Sequence, residues 1–367
     1  MQKIIWKYLD HISQHHYLQS WKWLYERKDI DVECNIKLEE KYLKLWYETK
    51  SSFWWYTYFE LIEDPNQFCG YIVEFIKSHQ KKENYFVVEF SIENENLLQF
   101  ITNEIVQTLL NKSKRKLKKI YFCTHDGNDS FNTSISFNLL GNFEHIQSIT
   151  LAEIGSKSQF NDEVLKYLGS LQHLKQLSFD VNHYHDSNIT DEGLSFIKNV
   201  ETMDFLNLHM NCNITDKGLG YLQGKKIKKF TLFGNFNITD NGIINAFQKG
   251  KIQSLDISDC VYITENAFIP LGYSLEELYF TLSDNNTSII TDHLLKYLRN
   301  IKILFLQLEN FSYFCITQDG ICSISHSIEN LTLNGNHTLT KRDFQILTTN
   351  QQLKKIHFDD ISIKFFK

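Results

Sequence analysis

The stretch Ile252-Gln253-Ser254-Leu255-Asp256-Ile257-Ser258-Asp259-Cys260-Val261-Tyr262-Ile263-Thr264-Glu265-Asn266-Ala267-Phe268 decides how the whole chain is read. Its first half alternates, with Leu255 and Ile257 apolar and Asp256 and Ser258 polar, which is the period-two pattern of a strand that buries one face. Its second half places Thr264 and Glu265 ahead of an apolar turn. A threonine there suits a helix N-cap, and an acidic residue in the first turn suits the positive end of the helix.

Both halves recur along the chain. The second returns as Ile189-Thr190-Asp191, Ile214-Thr215-Asp216, Ile238-Thr239-Asp240, Ile290-Thr291-Asp292, Ile316-Thr317-Gln318 and Leu339-Thr340-Lys341, with successive steps of 25, 24, 25, 27, 26 and 23 residues once Ile263 is counted. The first half generalises to Leu-x-x-Leu-x-Leu. Its central apolar residues run Ile120, Ile149, Leu177, Leu206, Phe230, Leu255, Leu278, Leu304, Leu331 and Ile356, with Phe90 as an irregular first member. Ten or eleven strand-and-helix units follow, and the apolar pairs Leu194 with Ile197, Leu219 with Leu222 and Ile243 with Phe247 close each unit from the helix side. A single unit cannot bury these residues alone, so the units must stack.

The phrases Cys260-Val261-Tyr262-Ile263-Thr264-Glu265 and Cys212-Asn213-Ile214-Thr215-Asp216-Lys217-Gly218-Leu219 resemble leucine-rich repeats of the cysteine-containing subtype. The resemblance covers roughly residues 115 to 361. It implies an α/β solenoid: a curved horseshoe with a parallel sheet on the concave side and helices on the convex side. Asn235 and Asn336 take the place of the cysteine, where a buried side chain can bond loop backbone that has no other partner.

Residues 1–80 carry no repeat phrase and hold all six tryptophans, Trp6, Trp21, Trp23, Trp46, Trp54 and Trp55. Apolar spacing at Ile5, Leu9 and Ile12, at Leu18, Trp21 and Leu24, at Leu38, Tyr42, Leu45 and Trp46, and at Phe68, Ile72 and Phe75 predicts three or four short helices. The expected organisation is therefore an aromatic-rich helical N-terminal region over 1–80 that caps the solenoid, and a repeat array over 81–367. Tyr8-Leu9-Asp10, Leu18 and Trp23 also resemble landmarks of the F-box, a segment that precedes such arrays and docks a ubiquitin ligase. That resemblance implies a ligase subunit as a partner at residues 1 to 45.

Composition narrows the classes of function. The chain has 367 residues, is 42% hydrophobic and carries 38 Lys plus Arg against 44 Asp plus Glu, a net charge of -6, which disfavours nucleic acid as the main partner. The basic run Lys112, Lys114, Arg115, Lys116, Lys118 and Lys119 reads as a solvated helix end. No apolar run reaches the roughly 20 residues of a membrane span. The N-terminus has no secretory pattern, and seven cysteines without a CxxC pair suit reduced thiols. A cytoplasmic protein is expected, with nuclear and mitochondrial placement left open.

Tests for chemistry return little. His11, His15 and His16, and likewise His183 and His185 with Asp186, lack the further ligands of a metal centre. Cys123, Cys212, Cys260 and Cys315 recur near strand ends as small buried groups. The sequence has no phosphate loop, nucleophile elbow or HExxH helix. No enzyme, cofactor or metal is expected.

The working surface is instead expected on the concave face, where residues between the buried strand positions point outward. Its central column includes Tyr121, Asn207, Asp256, Tyr279, Phe305 and His357, and the next column adds His209 and Phe233. Aromatics there are not needed by the core, and such residues anchor interfaces. The expected function is non-enzymatic binding of a protein partner. Two forms stay open, a substrate-recognition adaptor of a ubiquitin ligase and a structural subunit or assembly factor of a large complex, for example mitochondrial or cytoskeletal.

Overall fold

The computed structural model describes residues 32–39, 42–49, 54–60, 85–91, 117–123, 145–154, 161–181, 189–209, 213–250, 252–282, 289–308, 313–335, 339–340, 343–358 and 361–364. The chain forms two compact units, Met1–Leu177 and Ser178–Lys367. The division expected at residue 80 falls inside the first unit. No helix among the described residues is long and apolar enough to cross a membrane.

In the first unit, strands β1 (Val32–Glu39), β2 (Tyr42–Thr49) and β3 (Trp54–Glu60) form an antiparallel meander. The edge of β1 opposite β2 pairs in parallel with β4 (Tyr85–Ser91), which is followed across the sheet by β5 (Leu117–Cys123) and β6 (Ser148–Ile154). These strands correct the helix expected over Leu38, Tyr42, Leu45 and Trp46. The i, i+4 coincidence bridges two strands, because Glu39 faces Tyr42 across the pairing of β1 with β2. Within β1 the pattern is strictly period two, with Val32, Cys34, Ile36 and Leu38 alternating with Glu33, Asn35, Lys37 and Glu39. The other expected N-terminal helices, His11, His15, His16 and the basic run up to Lys116 lie outside the described residues. In β4 it is Val88, not Phe90, that aligns with Ile120. Helix α1 (Asp162–Leu168) follows, capped by the Asn161 side chain.

The strand β7 (Gln176–Val181) leads into the second unit. There the parallel strands are β8 (Thr202–His209), β9 (Lys226–Phe233), β10 (Ser254–Ser258), β11 (Glu277–Leu282), β13 (Ile303–Leu308), β15 (Asn330–Asn334) and β16 (Lys355–Phe358). The short strands β12 (Ile289–Thr291) and β14 (Tyr313–Cys315) pair separately. Strand β17 (Ile361–Lys364) turns back antiparallel on β16, so the last parallel strand is paired on both sides. Leu206, Phe230, Leu255, Leu278, Leu304, Leu331 and Ile356 stand opposite one another in an unbroken register. All are buried.

Helices α2 (Asp191–Phe196), α3 (Asp216–Gly220), α4 (Asp240–Phe247), α5 (Asp292–Tyr297) and α6 (Gln318–Ile324) lie between the strands. Each threonine accepts a hydrogen bond from the backbone N–H two residues on, as Thr239 Oγ1 does from Asn241 at 3.3 Å. From Thr215 to Thr317 the same hydroxyl donates to the carboxylate of the preceding repeat. Thr215 bonds Asp191 at 2.7 Å, Thr239 bonds Asp216 at 2.6 Å, Thr264 bonds Asp240 at 2.7 Å and Thr317 bonds Asp292 at 2.6 Å. In each case the threonine N–H joins the same carboxylate. The Thr-Asp phrase is therefore both a cap for its own helix and a link to its neighbour.

One repeat departs from this pattern. Between Thr264 and Gly272 two short 3-10 turns, Glu265–Ala267 and Ile269–Leu271, replace the α-helix. Pro270 lies in the second turn and cannot donate the N–H that would extend an α-helix back to Asn266.

The turns after three of the strands also have a structural requirement. Gly234 (φ 62°) follows β9, Gly335 (φ 137°) follows β15, and Asp259 (φ 53°) takes the same place after β10. Asp259→Gly should leave stability within about 1 kcal/mol of wild type, because the strain relieved and the added chain entropy of glycine are both of that size. Asp259→Val should cost about 1–2 kcal/mol, as a β-branched residue resists the left-handed region. Chemical denaturation of the two variants distinguishes them, and equal stabilities would rule out backbone strain at this turn.

The Asn/Cys position behaves as expected where it is described. Asn235, fully buried, donates through Nδ2 to the Ile214 carbonyl at 3.0 Å and accepts from the Asn237 N–H at 2.8 Å. Cys260 is buried and its thiol lies 3.4 Å from the Ser258 carbonyl. Cys315 is a correction: it is exposed, at the end of β14 in the small second sheet and off the main strand register. Cys212, Asn336, His183, His185 and Asp186 lie outside the described residues.

Candidate functional site

Period-two geometry sends one set of strand side chains toward the helices and the other out of the sheet. The burial of β11 and β13 alternates accordingly, with Leu278, Phe280, Leu304 and Leu306 buried and Tyr279, Thr281, Phe305 and Gln307 half-buried. The pairing register lines the outward residues of the second unit into rows. The central row reads Asn207, Thr231, Asp256, Tyr279, Phe305, Thr332 and His357. A second row reads His209, Phe233, Ser258, Thr281, Gln307 and Asn334. Seven of the eight expected site residues thus share one face. Tyr121 belongs to β5 in the first unit, and its side chain lies outside the described residues.

Sequence reasoning missed the row on the other side of the centre. Two positions before each central residue lie Phe205, Lys229, Ser254, Glu277, Ile303, Asn330 and Lys355. Counting back by two along each strand would have found it. Lys229 of this row sits 5.8 Å from the Phe205 ring centroid, within cation–π range.

Contacts within the face are specific. His209 stacks on Phe233 with ring centroids 4.4 Å apart, and Tyr279 tilts against Phe305 at 6.2 Å. Asn207 donates through Nδ2 to Ser178 Oγ at 2.9 Å. Ser258 donates to Asp256 at 3.3 Å and Ser254 to Glu277 at 2.9 Å. Asn207 Oδ1, Asn334 Oδ1 and His357 Nδ1 are covered atoms without a hydrogen-bond partner among the described residues.

Burial pushes the Asp256 carboxyl above its ordinary value, while the Ser258 hydroxyl, Lys229 and His209 pull it partway back. Burial also raises the Tyr279 phenol, and the negative charges of Glu277 and Asp256 add to the rise. Because the folded carboxyl of Asp256 binds its proton more tightly than the unfolded one does, its contribution to stability grows as pH falls from above the raised value toward 3.8. Above the raised value the ionised group opposes folding. Asp256→Asn is therefore expected to leave the thermal midpoint at pH 7 unchanged or higher, and a clear fall in a thermal melt would mean that the fold needs the charge.

The ends of the strands offer a contrast. A groove of about 660 Å³ near the N-terminal ends of β10, β11, β13, β15 and β16 is lined by Gln253, Tyr273, Glu276, Asn300, Lys302 and Gln352 among others. Its charges are already matched, with Lys302 on Glu276 and, beside it, Lys354 on Glu329, each at 2.6 Å. Among the described residues, no group of three His, Cys, Asp or Glu is placed to hold a metal ion.

The stacked strand-and-helix units, the buried leucine register and the Thr-Asp links define an α/β solenoid of the leucine-rich-repeat type. A scan of protein-family models finds no match to the chain, and neither does a search of curated proteins. Solved structures do match. One is the crystal structure of a TLR13–ssRNA13 complex, 17% identical over 80% of this chain with a TM-score of 0.47. This chain spans 38% of the length of that one. Another is the yeast Rad7 and Elc1 complex, 14% identical over 79% of this chain and 81% of that one, with a TM-score of 0.43. The assignment of fold rests on the repeat geometry itself.

Proposed function

We propose that the second unit is a protein-binding module whose partner lies across the outward face of the sheet, and that its function is binding rather than catalysis. The observation that carries this reading is the central row. Aromatic and ionisable side chains that the core does not use are held half-buried and in register on a hydrogen-bonded sheet. Residues of this kind, already partly desolvated and restricted in rotamer, lose little entropy on binding and serve as interface anchors.

An adaptor of a ubiquitin ligase is the narrower form of the proposal. The residues that resemble F-box landmarks, Tyr8 to Trp23, lie outside the described residues, and the described part of residues 1 to 45, Val32–Glu39 and from Tyr42 onward, is strand. A chain lacking residues 1 to 45 would also lose β1 from between β2 and β4, so a loss of binding by it would not report on docking alone.

The test is affinity purification with mass spectrometry from cells expressing either the wild-type chain or Tyr279→Ala/Phe305→Ala. Both rings are half-buried, so the double variant should fold, with a cost of about 1–2 kcal/mol. Specific protein partners should disappear from the variant. Equal recovery by the two chains, at matched folded amounts, would remove the outward face as the binding surface.

A further inference from the structure

We propose that Asp256, Glu277, Tyr279 and Phe305 form a socket for one basic side chain, an arginine, presented by an extended segment of the protein partner. The inference rests on the binding role argued above and names the chemistry that the face selects.

The four residues occupy three adjacent strands. Asp256 stands opposite Tyr279, which stands opposite Phe305, and Glu277 lies two residues before Tyr279 on the same face of β11. Neighbouring strands are about 4.8 Å apart, so the carboxylates and both rings fit within the reach of a single long side chain. Both carboxylates are close enough to the Tyr279 hydroxyl for their fields to act on it.

Many carboxylates of the second unit are already engaged. Glu276, Glu329 and Asp204 each hold a lysine at 2.6 Å. Asp191, Asp216, Asp240 and Asp292 are held by threonines of the next repeat. Asp256 and Glu277 each accept a single serine hydroxyl, from Ser258 and Ser254. No ion pair among the described residues reaches either one. Lys229 and His209 act on Asp256 only through their fields, and Lys302, whose field reaches Glu277, is bonded to Glu276. Two partly desolvated negative charges beside two aromatic rings are left without a direct counter-ion.

A guanidinium is the complement of this arrangement. It is planar, so it can lie against a ring face, and its forked donors can bond one or both carboxylates while its charge stays delocalised. An ammonium supplies charge without the planar fork. A phosphate backbone would meet both carboxylates with like charge, which sets nucleic acid against the site. The neighbouring Thr281 and Thr332 can take main-chain hydrogen bonds from an extended segment lying across the strands.

The test pans a library of random linear phage-displayed peptides on the immobilised full chain and measures the affinities of recovered peptides by fluorescence polarisation. Recovered sequences should be enriched in arginine. Affinity should fall about tenfold or more when the peptide arginine becomes glutamine, and equally with Asp256→Asn/Glu277→Gln, which preserves side-chain shape. Tyr262→Ala, in an exposed loop off the face, should change nothing. Thermal melts establish that each variant is folded. Peptides without basic enrichment that lose affinity with Tyr279→Ala/Phe305→Ala but not with the neutral pair would overturn the socket and leave the binding face standing. Peptides indifferent to all four substitutions, or a selection that yields no binder, would overturn both.

Discussion

Phe230→Ala is expected to destabilise the second unit by about 3–5 kcal/mol, the range for removing a fully buried aromatic ring. Phe230 has no exposed surface and stands in the strand register between Leu206 and Leu255. Its ring packs at 4.8 Å from that of Phe247, the buried end of α4. The ring therefore joins a strand, its two neighbours and the helix that closes the repeat. Interiors packed at crystal-like density cannot collapse fully into the space it leaves.

Position in the stack sharpens the expectation. In a repeat protein, stability is close to a sum of unit and nearest-neighbour contributions. A cavity in a middle repeat weakens two repeat interfaces, whereas Ile356→Ala, in the final hairpin, weakens one. Urea unfolding followed by circular dichroism should show the larger loss for Phe230→Ala, together with a broadened transition if the two flanks uncouple. A loss below about 1.5 kcal/mol would mean that the repeats repack freely, against the packing argument.

The second large effect concerns Gly242. A Cβ placed there would run into the Asp216 side chain of the preceding repeat, and the same holds for Gly218 against Asp191 and Gly320 against Asp292. The Asp216 carboxylate is already committed to the Thr239 N–H at 2.8 Å and its hydroxyl at 2.6 Å. Gly242→Ala must push it away from both. The expected cost is about 2–4 kcal/mol, combining overpacking with strained charge-assisted hydrogen bonds.

Asp216→Ala should cost about 1–3 kcal/mol, since Thr239 loses its acceptor. The double variant Gly242→Ala/Asp216→Ala should then cost little more than Asp216→Ala alone, because the added methyl enters vacated space. A double-mutant cycle measures that coupling directly, and simple additivity of the two losses would refute a steric clash between these residues.

The chain shows two other solutions to the same contact. Ala267 holds the position of Gly242 in the next repeat, and there the first turn is 3-10 rather than α. Leu294 holds it one repeat later, where the carboxylate bonded to Thr291 is the longer Glu265, at 2.7 Å from the threonine N–H. Glycine, alanine with a tighter turn, and leucine with a longer acid are alternative ways of fitting one repeat against the last.

The amino-acid sequence by itself determined the repeat length, the strand register from Leu206 to Ile356 and the capping threonines. Each depends on residues close in the chain, and the pattern recurs often enough to outweigh any one irregular unit. It also placed seven of the expected site residues on a common face, since strand alternation leaves no freedom once the buried leucines are known. Leu38, Tyr42, Leu45 and Trp46 were misread because apolar spacing was counted across two strands, and pairing between strands is a tertiary fact. Only the tertiary structure decided that each aspartate serves the following repeat, that Cys315 pairs in the small second sheet opposite Thr291, and that Glu277 shares a face with Asp256 and two aromatic rings. Those relations join residues more than twenty positions apart, held together by the stacking of whole units rather than by any local preference.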